Sequence, residues 1–423
     1  MSTVDNLLNG IEIPEFVRVS QKFDDTVVGD DPVRILADKI EANEGYRGIT
    51  PGMKIAVAVG SRGITGMPDY VRTIIAKLRL KGALPFIVPA MGSHAGATAE
   101  GQKAMLEGMG ITEEYVGCEI RSSMDVEELG FTEKGVPVVM DKNAAGADGI
   151  VIINRIKPHV AFRGPYESGL MKMITIGLGK QRGAAYCHNL GFGYMAEYIP
   201  AIARVSLSKK NFIFAVGLVE NAYHKTHTIE VLNAAEINDR EPELQALAKT
   251  LAPRLHFSKF DICIMDEIGK NISGTGFDTG VVGRYHTPFI SGGPTITKIG
   301  VLDLTDVSHG NANGIGIVDF TTQRLMDKFI PDQTYPNALT STVPLSVKIP
   351  MVLKNDRQVF QAAIRTCNIV DKSKATIVRF RNTVALDELE VSLSMIDMVK
   401  ECPYTEIISE PYSLGFNEEG NLF

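Results

Sequence analysis

Apolar residues in this chain follow two periods. Short uninterrupted runs, rich in β-branched side chains and ended by glycine, proline or polar turns, recur at KIAVAVG (54–60), LPFIVPAMG (84–92), DGIVIINRI (148–156), NFIFAVGLV (211–219) and FDICIMDEI (260–268). Runs of this length and composition read as buried strands. Between them the period lengthens to that of a helix. In MPDYVRTIIAKLRLKG (67–82), Tyr70, Ile74 and Leu78 recur at fourfold spacing, Pro68 suits a first helical turn, and Gly82 falls just past the end. Strand, helix, strand alternation predicts mostly parallel sheets covered on both faces, a doubly wound α/β core.

At 423 residues the chain exceeds the size at which one hydrophobic core keeps growing, so two domains are expected. The segment REPELQALAKTLAPRLHFSKF (240–260) reads as a charged helix broken by Pro253 and followed by a new strand. That places an N-terminal α/β domain over 1–255 and a C-terminal α/β domain over 256–423. The formal net charge of -7 argues against a nucleic-acid partner. No window has the apolar length of a membrane helix, and the start, MSTVDNLLNGIEIPEF, has no basic segment leading into an apolar one, so a cytoplasmic protein is expected. Cys118, Cys187, Cys263, Cys367 and Cys402 are odd in number, far apart and without CxxC pairing, which predicts reduced apolar packing.

Open α/β sheets bind ligands beyond the carboxyl ends of their strands, so the chemistry is sought in the loops there. GSRGITGMPDY presents Arg62, a planar cation suited to a carboxylate or phosphate; an ordinary glycine turn with a solvated arginine reads equally well. AMGSHAGATAEGQKAMLEGMG presents His94 among small residues, with Thr98 placed to cap the following helix. By itself a histidine near a helix start is more often structural than catalytic. In KPHVAFRGPYESGLMKMITIGLGK, Pro158 keeps Lys157 extended as the chain presents His159. A helix is expected from near Glu167 or Ser168, which puts Lys172 in or just past the first turn. A cation there opposes the helix dipole, and an anion or covalent attachment at the helix start would explain it. AAYCHNLGFG adds His188. His224 and His227 have a spacing compatible with a metal but no HExxH frame, and read as loop histidines. In the second half Asp266, Lys270, Asp278, His309 and Asn311 are polar candidates for the far wall of an interdomain cleft, with turn and capping roles explaining most of them as well.

Taken in order, GSHAGAT, KPHVAF, SGLMK and CHN resemble the nickel-dependent lactate racemase family, mainly over residues 55–190. The resemblance implies two α/β domains with an interdomain active-site cleft and a nickel-pincer nucleotide cofactor. It gives His94 and His159 the roles of acid and base, Arg62 the substrate carboxylate, Lys172 the cofactor tether and His188 the nickel. Thr98 matches the threonine four residues after the family's glycine-threonine-histidine segment and is assigned to the cofactor. The implied activity is racemisation or epimerisation of an α-hydroxy acid by proton-coupled hydride transfer. Gly169, Leu170 and Met171 stand where the family has two glycines and an arginine, and the loop from His159 to Ser168 is longer, which favours a substrate larger than lactate, such as a sugar acid. Two further readings are a cofactor-free lyase or dehydratase of sugar acids and a non-catalytic binder of an anionic metabolite.

Overall fold

The computed structural model describes residues 2–60 and 64–423. These divide into two compact units, one comprising Asp24–Ala252 and the other Met1–Phe23 with Pro253–Phe423. The opening strand Phe16–Gln21 (β1) therefore belongs with the C-terminal half, where it pairs antiparallel with residues 388–392. Residues 1–23 thus leave the N-terminal domain to which their position in the chain assigned them. FVRVSQ alternates sides, and its Phe16, Val17 and Val19 bury against the apolar strands of that sheet.

The unit Asp24–Ala252 holds a five-stranded sheet of Lys54–Val59 (β2), Leu84–Pro89 (β3), Gly149–Arg155 (β6), Phe212–Glu220 (β7) and Thr226–Leu232 (β8). A separate hairpin, Val126–Phe131 (β4) with Pro137–Asp141 (β5), lies apart from it. The sheet order is β3-β2-β6-β7-β8, parallel throughout except for β8. Four of the five apolar runs read from sequence are these parallel strands, the fifth being Lys259–Ile268 in the other unit; every residue of β7 is buried, as expected for a strand covered on both faces. The order reverses at β2, since the chain moves outward to β3 and then crosses back to β6. Ligand crevices in open sheets lie at such a reversal, beyond the carboxyl ends of the two strands that flank it.

Helix Met67–Leu80 (α1) covers one face, burying Met67, Tyr70, Val71, Ile74, Ile75 and Leu78. Pro68 occupies its first turn, and Gly82 beyond it has φ 73°, a left-handed setting that favours glycine. Each buried aliphatic side chain of this stripe contributes roughly 1.5–3 kcal/mol over an exposed one, so a charge at Ile74 would undo the docking.

The other unit is built on an eight-stranded sheet that joins β1 to Lys259–Ile268 (β9), Thr295–Leu304 (β10), Phe320–Thr322 (β11), Met351–Leu353 (β12), Ile377–Phe380 (β13), Glu388–Ser392 (β14) and Thr405–Ile407 (β15). The half from β12 to β13 is parallel, and the half from β13 to β15 is antiparallel. Both units are thus α/β with parallel cores. Among the described residues no helix is long and apolar enough to cross a membrane, and all five cysteines are free.

Candidate functional site

At the carboxyl end of β6 the chain stays extended through Lys157, which bridges to Ser168, and turns at His159. The Ala161 N–H donates to His159 Nδ1 at 3.1 Å, closing a tight turn on the side chain itself. The His159 ring packs against Phe162, with centroids 4.5 Å apart, and Phe192, at 6.1 Å; Phe192 in turn lies 5.6 Å from the His188 ring. One phenyl ring therefore stands between the two imidazoles. His188 sits in the last turn of Lys180–Asn189 (α3) with its Nδ1 buried and without a hydrogen-bond partner among the described residues. Burial, with the Lys172 cation as the smaller cause, holds its imidazole down to a pKa of about 4. His159, Lys172 and His188 are thus gathered in one locality, as the sequence motifs suggested they would be.

The segment between His159 and Lys172 is organised differently from expectation. Glu167 does not open a helix. Its side chain has no exposure, accepts the His159 N–H at 2.8 Å and the Gly164 N–H at 3.1 Å, and pairs with Arg163 at 3.3 Å and Lys249 at 2.6 Å. A buried carboxylate with two cations and two amide donors is a satisfied one. Helical winding starts at Leu170–Lys172 and passes straight into a π-turn, Met173–Gly177, a rare winding found often at functional sites.

An acid does occupy the start of that turn, supplied by a distant helix. Glu241, on Ile237–Leu251 (α5), accepts the Met171 N–H at 2.8 Å. Its neighbours one and two turns on, Gln245 and Lys249, meet the same segment: Gln245 Oε1 accepts from Glu167 N and Ser168 N at 3.4 Å, and Lys249 reaches Glu167 and the Gly164 carbonyl. One face of α5 therefore fixes the whole loop. Gly169 is required beneath it, because a Cβ there would stand 2.2 Å from Glu241 Oε1. Glu241 is fully buried and forms no ion pair among the described residues, and burial pushes its carboxyl up to about 8. The fourfold spacing of Glu241, Gln245 and Lys249 was the signal available in the sequence, where it reads as an ordinary solvated helix face.

His94 follows β3 and is exposed; its carbonyl accepts the Ala97 N–H. The loop joins the π-turn through its backbone, the Gly92 N–H donating to Gly177 O at 3.1 Å. Thr98 caps Ala99–Gly108 (α2) by accepting the Gly101 N–H at 3.1 Å, the capping role its position predicted. Arg62 lies outside the described residues. After residue 63 the Thr65 N–H donates to Glu220 at the end of β7 at 3.0 Å, and Glu220 pairs with Arg155 at the end of β6.

In the other unit the candidates serve local structure. Asp266 pairs with Arg379 at 2.7 Å, although burial still pushes its carboxyl up to about 6. Asp278 caps a short helix through Gly280 N, and Asn311 and Lys270 both donate to Asn337. In the unit Asp24–Ala252, His224 is in a left-handed turn, as befits a loop histidine, whereas His227 lies on β8 and its Nδ1 bonds the Thr228 hydroxyl. Among the described residues no group of three or more His, Cys, Asp or Glu side chains could hold a metal ion. A metal at His188 would take most of its donors from the molecule that brought it, and the uncharged imidazole, whose Nδ1 has no hydrogen-bond partner among the described residues, with the Lys172 ammonium nearby fits a metal-bearing anionic cofactor.

A parallel sheet with a reversal, whose strand-end loops gather imidazoles and an ammonium, has these groups where open α/β sheets take their ligands. Residues 31–197 match the family described as lactate racemase N-terminal domain. Among solved structures the chain is similar to the lactate racemase apoprotein from Thermoanaerobacterium thermosaccharolyticum, at 16% identity and a TM-score of 0.50 over 91% of this chain and 92% of that one. It is also similar to a structural-genomics protein from Thermotoga maritima, at 10% identity and a TM-score of 0.52 over 85% and 99%. No curated protein matches the chain. The likenesses in structure establish the two-unit α/β fold, and the match to the lactate racemase N-terminal domain covers residues 31–197 of it.

Proposed function

We propose that the protein is an isomerase that racemises or epimerises an α-hydroxy acid with the help of a nickel-pincer nucleotide. The observation that carries this reading is the clustering of His159, Lys172 and His188, with His188 Nδ1 buried and unpartnered, inside a lactate racemase N-terminal domain. Lys172 and His188 would hold the cofactor, the first through its amine and the second through an imidazole that burial keeps uncharged. When bound, the cofactor would supply the acceptor for the hydride that leaves the substrate carbon.

The chain's own residues handle the rest. Inverting a secondary alcohol through a planar ketone requires a proton to leave the hydroxyl and return on either face, which calls for one proton carrier per face. His94 and His159 are the pair. Because the Ala161 N–H engages Nδ1, proton exchange at His159 runs through Nε2. Arg62 is assigned to the substrate carboxylate. Arg163, which donates to the His159 carbonyl at 2.6 Å, and the α5-bound loop that carries it set the space beside His159. That loop is longer than the family pattern, so the reading favours an acid larger than lactate, such as a sugar acid.

The test is expression in a cell that makes the cofactor, followed by nickel analysis, native and denaturing intact mass, and optical rotation of enantiopure hydroxy acids. Stoichiometric nickel, an adduct lost in Lys172→Ala, and loss of optical rotation are expected. Turnover without nickel would replace this reading with a cofactor-free lyase, and ligand binding without turnover would replace it with a metabolite binder.

A further inference from the structure

Lys180 has no surface exposure and a left-handed backbone, φ 55°. Its ammonium donates to two acceptors, the Pro89 carbonyl at the end of β3 (2.5 Å) and Gln102 Oε1 on α2 (3.0 Å), and forms an ion pair with Asp141 Oδ2 at the end of β5 (3.2 Å), an oxygen with no hydrogen-bond partner among the described residues. Burial disfavours both charges of the Lys180–Asp141 pair, and their mutual attraction opposes it. Gln102 is equally buried. With its oxygen turned to the ammonium, its amide nitrogen faces two carbonyls, Gly92 at 2.9 Å and His94 at 3.5 Å.

The loop reached in this way is strained. Ala95, Gly96 and Ala97 are all left-handed, with φ 55°, 68° and 54°, a setting in which the alanine Cβ crowds the following carbonyl. Consecutive residues of this kind persist only where the surroundings over-determine them. Here the surroundings are the Thr98 cap on one side and the Gln102 amide on the other. Lys180 also opens α3, the helix that carries His188 in its last turn. One buried ammonium therefore ties the end of β3, the His94 loop and the His188 helix together.

We propose that Gln102 and Lys180 are positioning residues: they clamp the strained His94 loop in its working geometry and fix it relative to the helix of His188. The clamp's role in turnover rests on the reading of His94 as a proton carrier. A glutamine serving only to fill the core would be replaced by leucine without consequence for the loop. Gln102 instead supplies the donor that the Gly92 and His94 carbonyls accept.

The experiment compares wild type with Gln102→Leu, and with Gln102→Leu carrying Ala95→Gly and Ala97→Gly, which removes the penalty of the left-handed loop. Amide hydrogen exchange of residues 93–98 is read on protein made without cofactor, and kcat, KM and nickel content on cofactor-loaded protein. Expected are exchange at least tenfold faster in Gln102→Leu, kcat at least tenfold lower with KM and nickel content within twofold, and at least threefold recovery of kcat in the glycine variant. Unchanged exchange overturns the clamp whatever the activity. Faster exchange with wild-type kcat, or lost kcat with no recovery by the glycines, overturns the positioning role. If the wild type neither binds nickel nor turns over, the racemase reading fails on its own and the exchange comparison still decides the clamp. Should Gln102→Leu not fold, Gln102→Met, which also lacks the donor, carries the same comparison.

Discussion

Glu241→Gln isolates the energetic cost of the carboxyl that caps the Lys172 turn. Glu241 accepts the Met171 N–H with one oxygen, its other oxygen has no hydrogen-bond partner among the described residues, and burial pushes its pKa from 4.5 to about 8. Between those values the native state keeps a proton that the unfolded chain has released, so stability falls as pH rises. The contribution is fully present below pH 4.5 and is lost as pH passes through about 8. At about 1.4 kcal/mol per unit, the loss is on the order of 5 kcal/mol. An amide keeps the acceptor for Met171 and cannot ionise. Urea unfolding of both proteins from pH 5 to pH 9 gives the difference directly, because every other titrating group cancels. The two should match within about 1 kcal/mol at pH 5, the residual being the second amide proton left without a partner, and Glu241→Gln should become the more stable by several kcal/mol at pH 9. Parallel curves over the whole range would show that Glu241 ionises at its ordinary value, and the reasoning about its burial would be refuted.

Three shorter predictions follow from neighbouring contacts. Gly169→Ala drives a Cβ to 2.2 Å from Glu241 Oε1 and 3.1 Å from Ile156 Cγ1, so thermal unfolding should fall by the equivalent of about 1–3 kcal/mol; an unchanged Tm would mean the turn is looser than described. Glu167→Gln removes a buried charge that holds the His159 amide and two cations, with an expected loss of about 1.5–3 kcal/mol read by chemical denaturation. In a double-mutant cycle, Lys180→Met and Asp141→Leu should each cost about 3–5 kcal/mol because each strands a buried charge, whereas the double variant should cost far less than their sum. Additivity would show that the pair is not coupled.

What could be read from the chain was what backbone geometry makes local. The five buried strands, the stripe of α1, the Thr98 cap and the winding at SGLMK each depend on residues within a few positions of one another, so their periods and end signals carry the information. The motif order also placed His159, Lys172 and His188 in successive loops, and the sheet brings those loops to one locality.

Pairing across long separations was not legible. The alternation in FVRVSQ announces a strand but not that its partner is Glu388–Ser392, because any apolar strand edge satisfies a two-residue period. Lys180 in GLGK and Glu241 in REPEL look like solvated charges, and local composition has no term for the burial that makes one a buried ion-paired node and the other a proton-retaining cap. Glu167 likewise suits a first helical turn until Lys249 and Arg163 are brought to it, and then the ion pairs prevail over the helix dipole. The sequence by itself determined the elements, their order and the types of residue presented at the strand ends. The tertiary structure alone decided which charges are buried and against what, because desolvation is a property of the packed surroundings and not of the residue.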